Sequence, residues 1–152
     1  GTRIAQLVSK KGIKVDLQIS SNKEEDLNGA GRWAKSKNPD IYLSVHHNAY
    51  KDDLEGYFFM VNDKDYVSDK YAKQLSNSIV DNPLGIPQMK NRINDGYIGE
   101  INEFKDTDTI TILGEFGFFS SEKELVKIIN DEQVEYVANQ IADQLENILN
   151  SL

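Results

Sequence analysis

The sequence has no cysteine, which excludes disulfides, thiolate metal sites and a cysteine nucleophile. Histidine occurs only twice in 152 residues and proline three times. No apolar run approaches the roughly 18 residues needed to span a bilayer, which argues against membrane insertion. No secretory signal opens the chain. Positive charge is also scarce: 17 Lys and Arg stand against 25 Asp and Glu, a formal net charge of −8. The basic residues do not gather into one face, which argues against a nucleic-acid partner. A chain of this length forms one domain, 1–152, and buries its own core.

Both histidines lie in one stretch, Pro-Asp-Ile-Tyr-Leu-Ser-Val-His-His-Asn-Ala-Tyr at 39–50. It is apolar and β-branched up to Val45 and then turns abruptly polar, the pattern of a buried strand. Alternation puts Tyr42, Ser44 and His46 on one face and Ile41, Leu43 and Val45 on the other. His46 then stands at the strand's carboxyl end, where open α/β sheets hold ligands. A second stretch, 108–121, is another β-branched run that stops at a single ionisable residue, Glu115. If the two strands are parallel neighbours, His46 and Glu115 meet at one sheet edge.

The remaining chain supplies alternating helices and strands. Ile4, Ala5, Leu7 and Val8 predict a helix over 2–11 ending at Gly12, and 13–19 alternates like a strand. A polar loop at 20–25 precedes a helix over 26–37, weakened by Gly29 and Gly31. Further expectations are a strand at 56–61, a helix at 65–80, an irregular excursion at 82–99 and a short strand at 97–104. Ser121 and Glu124 form a capping box opening a helix over 125–130. A final helix at 132–149 carries one apolar stripe. This alternation predicts an α/β fold: a mostly parallel twisted sheet with helices on both faces, in a single domain.

Each candidate has a plain structural alternative. His46 could be a strand-end histidine bonded to backbone, His47 its solvent-facing neighbour, and Asn48 a turn residue. Glu115 could face water at the sheet rim. Alternatively, its apolar flanks, Thr-Ile-Thr-Ile-Leu-Gly before and Phe-Gly-Phe-Phe after, desolvate it and raise its pKa, which suits general acid/base work. Asp52, Asp53, Glu55, Glu100 and Glu103 are read as solvated loop carboxylates.

The segments Ser44-Val-His46-His-Asn48-Ala49 and Leu113-Gly-Glu115-Phe-Gly117-Phe118-Phe-Ser120, with Glu124 shortly after, resemble two signature segments of a known family. These are the zinc-dependent N-acetylmuramoyl-L-alanine amidases, the hydrolases of bacterial autolysins and phage endolysins. The resemblance extends through 12–19, the strand at 40–45 and the closing helix, and so covers nearly the whole chain. It implies a zinc ion held by His, Glu and His with a fourth position open. It makes His46 the last of those ligands and Glu115 the catalytic glutamate. Asn48 and the excursion at 82–99 become candidates for holding substrate. The bond cut would be the amide between the lactyl group of N-acetylmuramic acid and L-alanine of the stem peptide. The implied partner is peptidoglycan. The implied location is the bacterial cell wall or extracellular space, or release from a phage-infected cell at lysis.

One departure matters. The family's first ligand is a His in a Gly-rich segment after an N-terminal strand, and its second is a Glu opening the first helix. Neither is present, and His47 points away from His46. The expectation is that both ligands, with that strand and the start of the first helix, lie upstream of Gly1. The alternative is a metal-free, non-catalytic peptidoglycan-binding relative or an inactive fragment. A −8 domain gains no electrostatic help in reaching walls that carry anionic polymers, so targeting is expected from a separate wall-binding module.

Overall fold

Four strands form one mixed, mostly parallel twisted sheet in the order β1-β4-β2-β3. They are β1 (Ile41–Asn48), β2 (Tyr57–Asn62), β3 (Arg92–Asn94) and β4 (Ile110–Phe118). The computed structural model describes residues 1–19, 27–50 and 53–152. β1 runs parallel to β4 and β2 parallel to β3, while β2 and β4 are antiparallel. The helices are α1 (Thr2–Lys10), α2 (Leu27–Lys35), α3 (Tyr66–Ser78), α4 (Gly99–Asn102), α5 (Glu122–Ile128) and α6 (Asp131–Asn150). None of them among the described residues is long and apolar enough to cross a membrane.

Strand alternation sorts the core into two layers. Ile41, Leu43 and Val45 of β1, with Tyr57, Phe59, Ile110 and Ile112, face a large cluster that includes Ile4 and Val8 of α1, Leu75 of α3 and Ile141 and Ile148 of α6. Tyr42 faces the smaller layer of Phe58, Met60, Leu113, Phe118 and Ile101, where its ring stacks on Phe104 at 4.7 Å. All six residues of β2 are buried, as expected of a strand covered on both faces. Burying each large apolar side chain of this kind stabilises the fold by about 1.5–3 kcal/mol.

Helix ends follow their sequence signals. α1 stops at Lys11, and Gly12 takes φ +79, the left-handed conformation glycine adopts without strain. Ion pairs from Arg3 to Glu135 and from Lys11 to Asp143 and Glu146 fasten α1 to α6. Asp65 caps α3 and Asn130 caps α6 through their side chains. Ser121 caps α5 by accepting from the Glu124 amide at 3.3 Å. The expected capping box is half made, because the Glu124 carboxylate turns elsewhere and the Ser121 amide bonds Phe118 O.

Two expected strands are absent among the described residues. Residues 13–19 join no ladder among the described residues, and Val15, Leu17 and Ile19 are 37%, 44% and 63% exposed. Alternation supplies the side-chain pattern, but a strand also needs a partner for its backbone groups. The polar loop expected at 20–25 lies outside the described residues. At 97–104 the chain forms the single-turn helix α4. The buried pair Asn62–Asn94 dictates this turn: Asn94 Oδ1 accepts from Ile98 N at 2.9 Å, and Asn62 Nδ2 donates to Ile101 O at 2.7 Å. Ile98, Ile101 and Phe104 recur every three residues, a helical period that the strand expectation passed over.

Candidate functional site

The β1–β4 register pairs Tyr42 with Thr111, Ser44 with Leu113 and His46 with Glu115. Parallel neighbours in register point to the same face, so the two ionisable residues stand side by side. Neither ends its strand: β1 continues to Asn48, and β4 continues through the buried residues Phe116, Gly117 and Phe118. Past Glu115 the ladder slips, and Asn48 is next paired with Phe118.

His46 is engaged by side chains rather than by backbone. Its Nε2 lies 2.7 Å from Glu100 Oε1 and 2.8 Å from Ser44 Oγ. The bond to Glu100 raises the imidazole's pKa, against the opposing effect of burial. Tyr42 donates its hydroxyl to Glu100 Oε2 at 3.2 Å, and burial followed by the Glu100 charge raises the phenol. Glu100 is not the solvated loop carboxylate expected from sequence: it is 3% exposed. The Asn62–Asn94 pair winds α4 so that Glu100 reaches back to β1. Asp53 is exposed as expected, and Asp52 lies outside the described residues.

Glu115 occupies a different environment. Its Oε2 is buried with no hydrogen-bond partner among the described residues. Burial pushes its carboxyl up to about 7, with Glu100 adding to the rise and His46 and Arg92 opposing it. Arg92 comes from β3 and lies over the Phe58 ring at 4.2 Å. A carboxyl that titrates near neutrality and lacks a partner can take up or release a proton at working pH. This is the environment its apolar flanks predict, rather than a water-facing rim.

Asn48 and His47 stand apart from this cluster. Asn48 Oδ1 accepts from the Ala49 amide at 2.8 Å, a local turn interaction. His47, on the opposite face, donates from Nδ1 to Phe116 O at 3.2 Å, and burial lowers its pKa. Around β1 lies a cavity of about 720 Å³ whose lining includes Tyr42, Ser44, His46, Glu100 and residues 13–19, together with the other face of the strand. The imidazole therefore opens onto a space large enough for an extended ligand.

The described residues do not fit a catalytic zinc ion. Such a site needs three protein ligands and an open position. Among the described residues no group of three or more His, Asp or Glu side chains is placed to hold a metal. Only one imidazole faces the site, and its Nε2 is already taken by Glu100 and Ser44.

Solved structures share this architecture. The catalytic domain of CwlV, an N-acetylmuramoyl-L-alanine amidase from Bacillus (Paenibacillus) polymyxa var. colistinus, superposes with a TM-score of 0.82 at 18% identity, over 98% of this chain and 80% of its own. AmiC2 of Nostoc punctiforme gives 0.79 at 20% identity, over 98% and 79%. An amidase from Clostridium difficile 630 gives 0.75 at 22%, over 98% and 81%. At these identities the likeness establishes the fold alone. No curated protein matches the sequence. A family model described as N-acetylmuramoyl-L-alanine amidase matches residues 1–147. With that match running through both strands that carry His46 and Glu115, the chain belongs to the N-acetylmuramoyl-L-alanine amidase family.

Proposed function

We propose that this domain recognises peptidoglycan at the junction between N-acetylmuramic acid and the stem peptide, and that its described residues bind this junction without a metal ion. The observation carrying the proposal is the state of His46. The imidazole sits beside Glu115 toward the carboxyl end of β1 and β4, and its Nε2 is bonded to a buried carboxylate. Family membership supports the ligand class. Tyr42, Ser44 and Glu100 line the cavity from which a muropeptide would approach, and Glu115 offers a proton-exchanging group to its amide.

The test is calorimetric titration of the 152-residue chain with an N-acetylmuramoyl-L-alanyl peptide, with and without chelator. Elemental analysis, intact mass and chromatography of the ligand accompany it. Binding that survives chelation, with the ligand intact and no stoichiometric zinc, is the expected result. Binding abolished by chelator, or near one zinc per chain, would overturn it.

A second reading is favoured by one observation, the buried and unpartnered Oε2 of Glu115 with its pKa near neutrality. In this reading the domain hydrolyses the amide. His46 would be one of the residues holding a zinc ion, which would polarise the amide carbonyl and activate water. Glu115 is the proton-transferring residue, and Asn48 contacts substrate. Appearance of free L-alanine amino termini in treated cell walls, stopped by Glu115→Gln, distinguishes this reading from the first. In either case the place of action is the cell wall, and a separate wall-binding module delivers an acidic domain there.

A further inference from the structure

Glu124 is 0% exposed and belongs to neither the His46 cluster nor the hydrophobic core. Its two carboxylate oxygens accept from one backbone amide in β4 and one just before β2. Oε2 takes the Phe118 N–H at 2.5 Å, and Oε1 takes the Gly56 N–H at 2.6 Å. Burial raises the Glu124 pKa, and these two amides oppose the rise.

Both amides flank Glu115. Between the His46–Glu115 pair and the Asn48–Phe118 pair, β4 spends one more residue than β1, which is a β-bulge. A bulge removes a residue from the ladder and re-aims the side chains beside it. Gly117 lies inside this bulge at φ +110, where a Cβ would fall 2.5 Å from Ile128 Cγ2 and 3.4 Å from Glu124 Oε2. On the other side of β4, Phe58 is the register partner of Glu115, and Gly56 is the residue just before β2. One side chain therefore fixes the bulge that follows Glu115 and the entry of the strand paired with it.

We propose that Glu124 is a positioning residue, whose carboxylate clamps the β4 bulge to the start of β2 and thereby sets the orientation of Glu115 beside His46. The chemistry requires a carboxylate. Two inward-pointing N–H donors need two acceptors, and a carboxamide offers one acceptor and one competing donor. Glu124→Gln therefore frees one amide while keeping the shape of the side chain. Glu124→Asp keeps the charge but is too short to span both strands.

The inference rests on the proposed role of the His46–Glu115 edge, and the experiment separates the two. Labelled wild type, Glu124→Gln and Glu124→Asp are compared well below their melting temperatures, with Ile141→Val as a control that loosens the core elsewhere. In the glutamate variants, hydrogen exchange at the Gly56 or Phe118 amide should rise about tenfold, the equivalent of one ordinary hydrogen bond. The His46 ring and Glu115 carboxyl resonances should shift, and muropeptide binding should weaken about tenfold. Ile141→Val should leave those resonances in place. Unmoved His46 and Glu115 signals in both glutamate variants, or shifts no larger than in Ile141→Val, would overturn the proposal. Failure of both variants to fold would also count against it, making Glu124 a folding residue. If wild type binds no muropeptide, the functional reading fails while the resonances still decide the role of Glu124.

Discussion

Glu115 couples protonation to folding. An ordinary glutamate titrates near 4.5, and burial holds this one up to about 7. Between those values the folded chain keeps a proton that the unfolded chain gives up. The resulting stability is present below about pH 4.5 and is lost as pH rises through about 7. Glu115→Gln removes the penalty of burying a charge. The variant should be more stable than wild type at pH 8 by about 1–2 kcal/mol, allowing for the group's partial exposure, and no more stable near pH 4. Urea denaturation at the two pH values measures this.

Glu100 acts through His46 with the same pH dependence, but its removal destabilises the fold where removal of the Glu115 charge stabilises it. Its bond is the largest cause of the raised His46 pKa, so its stabilising effect is full below the imidazole's ordinary 6.5 and fades as pH rises through the raised value. Glu100→Gln should lower the His46 midpoint seen by NMR and cost about 1–3 kcal/mol near pH 6, less near pH 9. At this scale the sequence was half legible. His46 and Glu115 are ionisable residues set into apolar strands, and alternation alone assigns their faces. Nothing local marks Glu100, because its place depends on two asparagines, Asn62 and Asn94, buried at 3% and 1% exposure.

Among the elements, α2 shows how a poor helix residue can be required. Gly31 weakens α2 on propensity, but a Cβ there would collide with the Glu100 carbonyl oxygen and lie 2.9 Å from its Cα. The two helices meet backbone to backbone, and that contact supports the residue that holds His46. Gly31→Ala should therefore destabilise the fold by about 1–3 kcal/mol, although alanine is the better helix former by up to ~1 kcal/mol. Denaturant melts measure the loss, and displaced His46 resonances would trace its route through Glu100. Helices were legible from capping residues and apolar period, as with Ser121 and the stripe of α6. The segment 13–19 was not, because alternation describes a strand's side chains and leaves its ladder partner undefined. The 97–104 turn is helical where a strand is expected, because a three-residue period over so short a span competes with strand-like composition.

At the scale of the whole molecule, a net charge of −8 opposes approach to anionic wall polymers. Raising ionic strength from about 0.01 M to 0.15 M shortens the screening length from about 30 Å to 8 Å. Co-sedimentation of the domain with polymer-bearing walls should therefore increase over that range. A decrease would reveal a basic contact face that the distribution of Lys and Arg does not suggest.

The β1–β4 pairing also governs when a functional surface can exist during folding. The two strands are sheet neighbours, yet the chain between them must first build β2, α3, β3 and α4. Such long-range closures form slowly, after local helices have appeared. A chain with all its helices but an open sheet has an imidazole and a carboxylate that have never met. In refolding experiments, muropeptide capture should return with the slowest phase, well after helical circular dichroism. Ligand capacity is then an assay of completed folding, and damage to α3, a crossover element that carries no residue of the site, silences it all the same.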